Sequence, residues 1–386
     1  MKLTFKSLVF FILFVLIIYK NIFFANALEE SIKIPLDYHS DYGVYTSNIQ
    51  ANNHKGLIDV IIDTGSPILI ILGDKKICPD CKPYITKKTI PKNTTYHSSN
   101  NESLLSTKLK VTFPNNIPIE FDSHVITDGS HNSNIMGISP VSKDWQKYYS
   151  LKNIFGKLKI PEKFSFLLCG TKNNALILGD FQSNNKRKKP ITKIRTTKLY
   201  LNDYYTIKLS GIENHQNSPL IKYYPENYAN VIIDSGTGGL IVVPDDDYHY
   251  IIEYIKRFYT KHNTTQRLSN DFWYDNYCIK NEQINNKKFP EINLTFPNFY
   301  NKNQNITISL KPKTYITSGG CNKGYKRLSF THYENYKNKT KHKKLPNDTT
   351  TDVFILGTPI FEEYGITIDL ENPAKVKFFN KDFYCK

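Results

Sequence analysis

One unusual pattern occurs twice in the sequence, and this duplication restricts the possible folds more than any other feature. "VIIDTGS" begins at Val60 and "VIIDSGT" begins at Val231. In each copy three apolar residues lead into an aspartate, Asp63 or Asp234, which a hydroxyl residue and a glycine follow. A single copy could be a turn or helix-capping aspartate at the end of a strand. Two copies, 171 positions apart (234 − 63), indicate an internally duplicated chain.

A second repeated motif supports the duplication. Each aspartate motif is followed downstream by an apolar stretch that ends in glycine, Gly137 in "NIMGISP" and Gly357 in "VFILGTP". Much of the remaining chain consists of short segments rich in β-branched residues, separated by polar turns, which is typical of strands. The clearest helix is expected to begin at Asp245, where acidic residues precede an apolar-periodic stretch, and a weaker one is expected over 143–155. The sequence therefore predicts a mostly-β fold.

The N-terminal residues are typical of a secretory signal peptide. Lys2 and Lys6 precede a short apolar run, and Ala25 and Ala27 offer the small residues that a signal peptidase reads. The alternative is a retained signal anchor, but the run is shorter than the roughly 20 apolar residues of a membrane span. We expect residues 1–27 to be a signal peptide, and the protein to be in the secretory pathway, either secreted or in a vesicular compartment.

The length of 386 residues suits two domains of ordinary size. The basic, polar stretch around Pro190 separates the two copies of the motifs. We therefore expect an N-terminal half over 28–190 and a C-terminal half over 191–386. Each half carries one aspartate motif, so a single chain supplies both, and we expect a monomer rather than a homodimer.

The chain is strongly basic, with a formal net charge of +16. Much of the excess lies in two runs among polar residues, Lys186–Lys189 and Lys337–Lys344. No aromatic residues alternate with these lysines, as they would in a groove that binds single-stranded nucleic acid. We interpret the runs as solvated loops and expect no nucleic-acid partner. Attraction to acidic substrates or to anionic membrane surfaces stays open, and membrane association is expected only if the N-terminal segment is retained.

A duplicated aspartate turn can build a specific catalytic site. If the two turns meet, the carboxylates lie close together, share one proton and titrate in separate steps. The ionised carboxylate can then activate a water molecule as a general base, while the protonated one polarises a carbonyl group. The glycines leave room for the opposing turn. The hydroxyl groups of Thr64 and Ser235 can lock the turns together, and those of Ser66 and Thr237 can hydrogen-bond the outer carboxylate oxygens. The expected site comprises Asp63, Thr64, Gly65, Ser66, Asp234, Ser235, Gly236 and Thr237, with no metal and no cofactor.

These motifs in combination resemble those of the pepsin family (A1) of aspartic proteases over 32–379. The motifs are "VIIDTGS", "VIIDSGT", "IMGIS" and "FILGTPIFEEYGITIDLENPAKVKF", and the loops rich in Asn, Lys and Ile resemble those of plasmepsins. The resemblance implies a bilobal β fold, with two lobes related by a pseudo-twofold axis and a cleft between them. It implies that Asp63 and Asp234 are the catalytic pair of an endopeptidase that hydrolyses proteins or peptides beside bulky apolar residues.

The resemblance also implies disulfides. Cys78–Cys81 and Cys278–Cys321 match the two usual bridges of the family. "CPDC" could otherwise be a redox or zinc site, although no matching second pair of ligands is evident. A Cys169–Cys385 bridge is expected from the strands that these residues adjoin, and two free buried thiols are the alternative. Secretion permits such bridges.

Several positions depart from the family pattern. Ile70 stands where an aromatic residue usually bonds to the tyrosine of the flap over the cleft. Tyr96 matches that tyrosine, but non-glycine residues follow it over 97–100; the alternative is an ordinary loop tyrosine. Gly238 replaces a frequent serine and is expected to be tolerated. Little sequence separates Ala27 from the first expected strand, so we expect no conventional prosegment. The alternative function is a catalytically weak pepsin-like binding protein.

Overall fold

The structure is a computed structural model that describes residues 31–51, 56–72, 93–96, 102–113, 118–128, 133–140, 150–170, 173–181, 194–201, 204–263, 267–333, 353–382 and 384–385. The expected signal peptide and the expected Cys78–Cys81 bridge lie outside these residues. The described residues are mostly β, as the sequence predicts. Within these ranges no helix is long and apolar enough to cross a membrane.

The described part of the N-terminal half consists of short strands and one helix. The strands are β1 Ser31–Pro35, β2 Asp37–His39, β3 Val44–Ala51, β4 Ile58–Asp63, β5 Leu69–Leu72, β6 Asn93–Tyr96, β7 Glu102–Thr112, β8 Pro118–Asp128, β9 Ile135–Gly137, β10 Lys163–Leu167 and β11 Ala175–Gly179. Helix α1, Ser150–Leu158, overlaps the end of the weaker expected helix, whose first residues lie outside the described ranges.

The described part of the C-terminal half has a similar make-up with more helix. Its strands are β12 Arg195–Lys198, β13 Tyr200–Leu201, β14 Tyr205–Leu209, β15 Gly211–Glu213, β16 Pro219–Lys222, β17 Ala229–Ile233, β18 Ile241–Val243, β19 Ile279–Lys280, β20 Ile292–Pro297, β21 Asn305–Leu310, β22 Ile316–Thr317, β23 Tyr325–Leu328, β24 Phe330–His332, β25 Val353–Leu356, β26 Gly365–Asp369 and β27 Lys375–Phe379. The helices are α2 Asp245–His262, α3 Asn270–Tyr274, α4 Pro312–Tyr315 and α5 Thr358–Glu363. Helix α2 begins at the predicted residue, with three aspartates in its first turn.

The same strand arrangement occurs once in each half. In the first, β4 pairs in parallel with β9, β9 pairs antiparallel with β5, and β5 pairs in parallel with β8. In the second, β17 pairs in parallel with β25, β25 antiparallel with β18, and β18 in parallel with β24. The duplication that the sequence predicts is thus present in the strand pairing. It places Asp63 at the end of β4 and Asp234 directly after β17.

A six-stranded sheet joins the two halves, in the order β1-β11-β10-β26-β27-β12. Three strands come from each half, and the antiparallel pair β10–β26 connects them. At this junction the hydroxyl groups of Ser165 and Thr367 lie 2.7 Å apart and hydrogen-bond to each other. The order of strands on one side of the junction mirrors the order on the other side.

The apolar residues of the strands explain why the aspartate turns are held rigidly. On β4, Ile58, Val60 and Ile62 are buried, whereas Asp59 between them is exposed. This alternation is what a strand with one face on the core requires. Val231 and Ile233 are buried in the same way on β17, so each aspartate follows a strand anchored in the core.

Candidate active site

Asp63 lies in a tight turn that satisfies both oxygens of its carboxylate. The backbone N–H of Gly65 donates to Oδ1 at 2.7 Å, and the hydroxyl of Ser66 donates to Oδ2 at 2.5 Å. The residue is only 8% exposed. The chain therefore buries an ionisable group but supplies hydrogen bonds to hold it, as a buried polar group requires.

Asp234 lies in a turn with the same hydrogen bonds. The backbone N–H of Gly236 donates to Oδ1 at 2.8 Å, and the hydroxyl of Thr237 donates to Oδ2 at 2.7 Å. The backbone N–H of Asp234 donates to the carbonyl of Leu356 on the neighbouring strand β25 at 3.0 Å. Ser66 and Thr237 thus bind the outer carboxylate oxygens in the way that the sequence analysis expects.

The two carboxyl groups meet, and each glycine lies against the opposing one. A Cβ atom at Gly65 would lie 2.7 Å from Cγ of Asp234, and a Cβ atom at Gly236 would collide with the carboxylate of Asp63. Only glycine leaves the space that the facing carboxylate occupies. The structure therefore brings together the two aspartates that the sequence analysis paired.

The electrostatics of Asp63 follow from this contact. Burial raises the pKa of Asp63 well above its usual range, and the nearby carboxylate of Asp234 and a hydrogen bond to it raise that pKa further. The hydrogen bonds from Ser66 and Gly65 lower the same pKa and offset part of the effect. Hence Asp63 holds a proton at a pH where an ordinary carboxyl group is ionised.

Two hydroxyl groups tie the turns to each other. The hydroxyl of Thr64 donates to the carbonyl of Ile233 at 2.8 Å and accepts from the N–H of Ser235 at 2.8 Å. The hydroxyl of Ser235 donates to the carbonyl of Ile62 at 2.7 Å and accepts from the N–H of Thr64 at 3.0 Å. These four bonds are reciprocal, because each hydroxyl serves the other turn in the same manner.

Gly137 and Gly357 support the turns from the adjacent strands. The N–H of Gly137 donates to the carbonyl of Ile68 at 2.8 Å, and that of Gly357 donates to the carbonyl of Leu240 at 3.2 Å. A Cβ atom at Gly137 would meet the backbone of Ser66 and Ile68. The second repeated motif therefore packs directly beneath the first.

Glycine is required at position 238 for a reason that the sequence alone does not show. A Cβ atom at this position would collide with the carbonyl oxygen of Tyr42, which belongs to the turn before β3. Gly43 and Gly239 also lie close together, since a Cβ atom at Gly43 would be 3.0 Å from the backbone nitrogen of Gly239, and Gly43 has a φ of +67°, in the left-handed region that favours glycine. The close approach of this turn therefore excludes a side chain at position 238.

Sequence reasoning did not single out Thr358, which follows Gly357. Its hydroxyl accepts from the N–H of Gly239 at 2.7 Å and donates to the carbonyl of Gly43 at 2.8 Å. It thus links the chain after the second turn to the start of β3. A threonine after "ILG" carries no signal of this role, because its partners are 119 and 315 positions away.

The structure describes only part of the segment that is expected to form the flap. Tyr96 is the last residue of β6 and pairs with Glu102 of β7 in an antiparallel hairpin, and residues 97–101 lie outside the described ranges. Ile70 lies on β5 and is fully buried, so it is an aliphatic core residue.

Two disulfides are present in the described residues. Cys278–Cys321 joins the residue before β19 to the loop after β22, and Cys169–Cys385 joins the chain after β10 to the segment after β27. Both lie at the pairings that the sequence analysis expects. Among the described residues no group of three or more His, Cys, Asp or Glu side chains is arranged to hold a metal ion.

Comparison with known proteins adds no assignment. No model of a known protein family matches the chain, and a search of curated proteins finds no match.

Proposed function

We propose that this protein is an aspartic endopeptidase that hydrolyses peptide bonds with water activated between Asp63 and Asp234. The observation that carries the proposal is the contact between the two carboxyl groups, each held by a backbone N–H and a hydroxyl and tied to the other turn by reciprocal hydrogen bonds. A purely structural pair of buried acids would be costly, since like charges close together in a buried site disfavour ionisation. Such an arrangement is typical of acid–base catalysis.

The chemistry needs one proton between the two carboxyl groups. The ionised carboxylate takes a proton from a water molecule, which attacks the carbonyl carbon of the scissile bond. The protonated carboxyl donates to the carbonyl oxygen as negative charge develops on it. Collapse of the tetrahedral intermediate breaks the C–N bond, and a proton from the pair goes to the leaving nitrogen. As the carbonyl group re-forms, the carboxylate of the pair takes back a proton from a hydroxyl group of the intermediate, so the pair again holds one proton once the products depart.

The proposal includes a bilobal, pepsin-like arrangement with the cleft at the paired aspartates. Two observations support it: the repeated strand pattern around each aspartate, and the joining sheet with three strands from each half. The two disulfides are compatible with a secreted protein. The substrates are then proteins or peptides, bound in an extended form with bulky apolar side chains beside the scissile bond.

The test is cleavage of a mixed peptide library between pH 4 and 7 by protein purified after export from a secretory host. Three proteins are compared: the parent, Asp63→Asn and Asp234→Asn. Asp59→Asn is the matched control, because Asp59 lies on the same strand but is exposed. We expect cleavage by the parent and the control and none by the other two variants.

A folded parent that cleaves nothing would contradict the proposal. It would favour the second candidate, a pepsin-like binding protein, for which the observation is the aliphatic, buried Ile70 at the position where the family places an aromatic partner of the flap. Cleavage that persists in both active-site variants would show that another site is responsible.

A further inference from the structure

Two tyrosines occupy equivalent positions in the two halves. Strand β3 pairs antiparallel with β4 so that Thr46 lies opposite Ile61, and β14 pairs antiparallel with β17 so that Thr206 lies opposite Ile232. Ile61 and Ile232 each precede their aspartate by two positions. Tyr45 and Tyr205, which come directly before these threonines, are therefore counterparts in the duplicated fold.

Tyr205 reaches from the C-terminal half to the support of Asp63. Its side chain is fully buried, and its hydroxyl donates to the carbonyl of Ile138 at 2.6 Å. The N–H of Ile138 in turn donates to the carbonyl of Asp63 at 2.8 Å. A single residue thus separates the Tyr205 hydroxyl from the backbone of the first catalytic turn.

Tyr45 reaches in the opposite direction, to a side chain on the helix that follows Gly357. It is 3% exposed, and its hydroxyl donates to Oε1 of Glu362 at 3.1 Å. Glu362 lies on helix α5, whose first residue, Thr358, donates its N–H to the carbonyl of Thr237 at 3.0 Å. The hydroxyl of Thr237 holds the carboxylate of Asp234, so this chain of contacts ends on the second catalytic turn.

We propose that Tyr45 and Tyr205 are reciprocal positioning residues, each of which extends from one half to the segment that supports the aspartate of the other half. Neither touches the reacting atoms. Their hydroxyl groups fix the spacing of the two turns, in addition to the hydrogen bonds between Thr64 and Ser235. This inference rests on the proposed function, because it assigns the tyrosines a role in aligning the catalytic pair.

The role of the two hydroxyl groups can be tested separately from the packing of the two rings in the core. The Tyr205 ring contacts Phe164, and the Tyr45 ring contacts Tyr38. A change to phenylalanine keeps these contacts and removes only the hydroxyl. What is lost is a buried hydrogen bond between the two halves, and small displacements of catalytic groups reduce turnover strongly.

The test compares three variants with a control. The variants are Tyr45→Phe, Tyr205→Phe and the double variant that carries both changes, and the control is Tyr248→Phe. Tyr248 is the matched control, because it is buried and its hydroxyl donates to the carbonyls of Trp273 and Tyr274, both at 3.2 Å, entirely within the C-terminal half. All single variants should show a similar, small decrease in Tm. Only Tyr45→Phe and Tyr205→Phe should lower kcat, by about tenfold each, with KM unchanged.

A second readout does not depend on stability. If the turns drift apart, the proton on Asp63 is held less tightly, since the neighbouring Asp234 carboxylate contributes to holding it. The upper limb of the pH dependence of kcat/KM should therefore move to lower pH in the two variants and stay in place in Tyr248→Phe.

Each outcome distinguishes the two proposals. If the parent cleaves and the two variants match Tyr248→Phe in kcat and in pH profile, the positioning role is wrong and the proposed function stands. If the folded parent cleaves no peptide, both are wrong. A rise in KM at constant kcat would place the tyrosines in substrate binding and would also overturn the positioning role.

Discussion

Thr64 and Ser235, 171 positions apart, each accept a hydrogen bond from the backbone N–H of the other, at 2.8 and 3.0 Å. Each hydroxyl also donates to a strand carbonyl of the opposite half. All four groups are buried, so none of these bonds can be replaced by water. The alignment of the two carboxyl groups is therefore coupled to the pairing of these two side chains.

Replacing Thr64 with valine tests this coupling. The change keeps the shape but leaves the carbonyl of Ile233 and the N–H of Ser235 without their partner. We expect the free energy of unfolding to fall by about 2–4 kcal/mol, since each buried group loses its hydrogen bond, and peptide cleavage to fall with it. Urea denaturation and kcat measure the two effects.

Thr64→Ser is the control for that experiment. It retains the hydroxyl and should keep most of the stability and activity. A valine variant as stable and as active as the serine variant would show that the hydroxyl is dispensable.

Gly65 should tolerate no side chain, for a reason of contact rather than of backbone strain. The methyl group of Gly65→Ala would lie 2.7 Å from Oδ1 of Asp234, so the carboxyl groups must separate and cleavage should be abolished. Gly156→Ala is the matched control, because a Cβ atom there meets nothing within 4 Å. In helix α1 that control should stabilise the fold by about 0.5–1 kcal/mol. Equal activity of the two variants would contradict the close contact.

The sequence predicts the parts of this site that local pattern encodes. The aspartate turns, the glycines of the second motif and the start of helix α2 at Asp245 each have a signature within a few residues, because turn geometry and helix ends are set by nearby side chains. Gly238 illustrates the limit of such reasoning. Its requirement comes from the carbonyl of Tyr42, which is distant in the sequence, so the residue appears merely tolerable when only its neighbours are considered.

The hydrogen bonds of Tyr45 and Tyr205 between the two halves could not be predicted in this way. Tyr45 and Tyr205 are two of 27 tyrosines, and each lies on an ordinary apolar strand. Their partners are 317 and 67 positions away, and a hydrogen bond at that separation leaves no periodic trace in the sequence. Only the register of β3 and β14 against the catalytic strands reveals that the two residues are equivalent.

The titration of Asp63 should contribute to the pH dependence of the free energy of unfolding. Its pKa is raised in the folded state, mainly by burial, so above about pH 4, near the ordinary pKa of an aspartate, the folded state binds more protons than the unfolded one. The stability from this group is present below that pH and is lost as the pH rises through the folded pKa.

Asp63→Asn removes this dependence. The free energy of unfolding of the variant minus that of the parent should increase as the pH rises from 4 to 7. This signed difference should have its lowest value at pH 3. Urea denaturation of both proteins across this range measures it. A constant difference would show that the carboxyl group titrates normally.

Lys381 should produce the opposite slope at alkaline pH. Its ammonium group is buried and donates to the carbonyls of Leu168, Phe361 and Glu362. Burial lowers the pKa of Lys381 to about 8, and Glu362 offsets part of this effect. An unfolded lysine titrates near about 10.4, so between these values the unfolded state binds more protons, and the stability contributed by this residue rises with pH.

Comparison of the parent with Lys381→Met isolates this contribution from other groups that titrate in the same range. The stability of the parent relative to the variant should increase between pH 8 and 10 and be constant between pH 6 and 7. Lys302→Met, at an exposed position between β20 and β21, controls for the loss of one positive charge. Urea denaturation at each pH provides the measurement. If the relative stability of the parent decreases over this range, the ammonium form is the one that the fold favours, and burial does not dominate the pKa of Lys381.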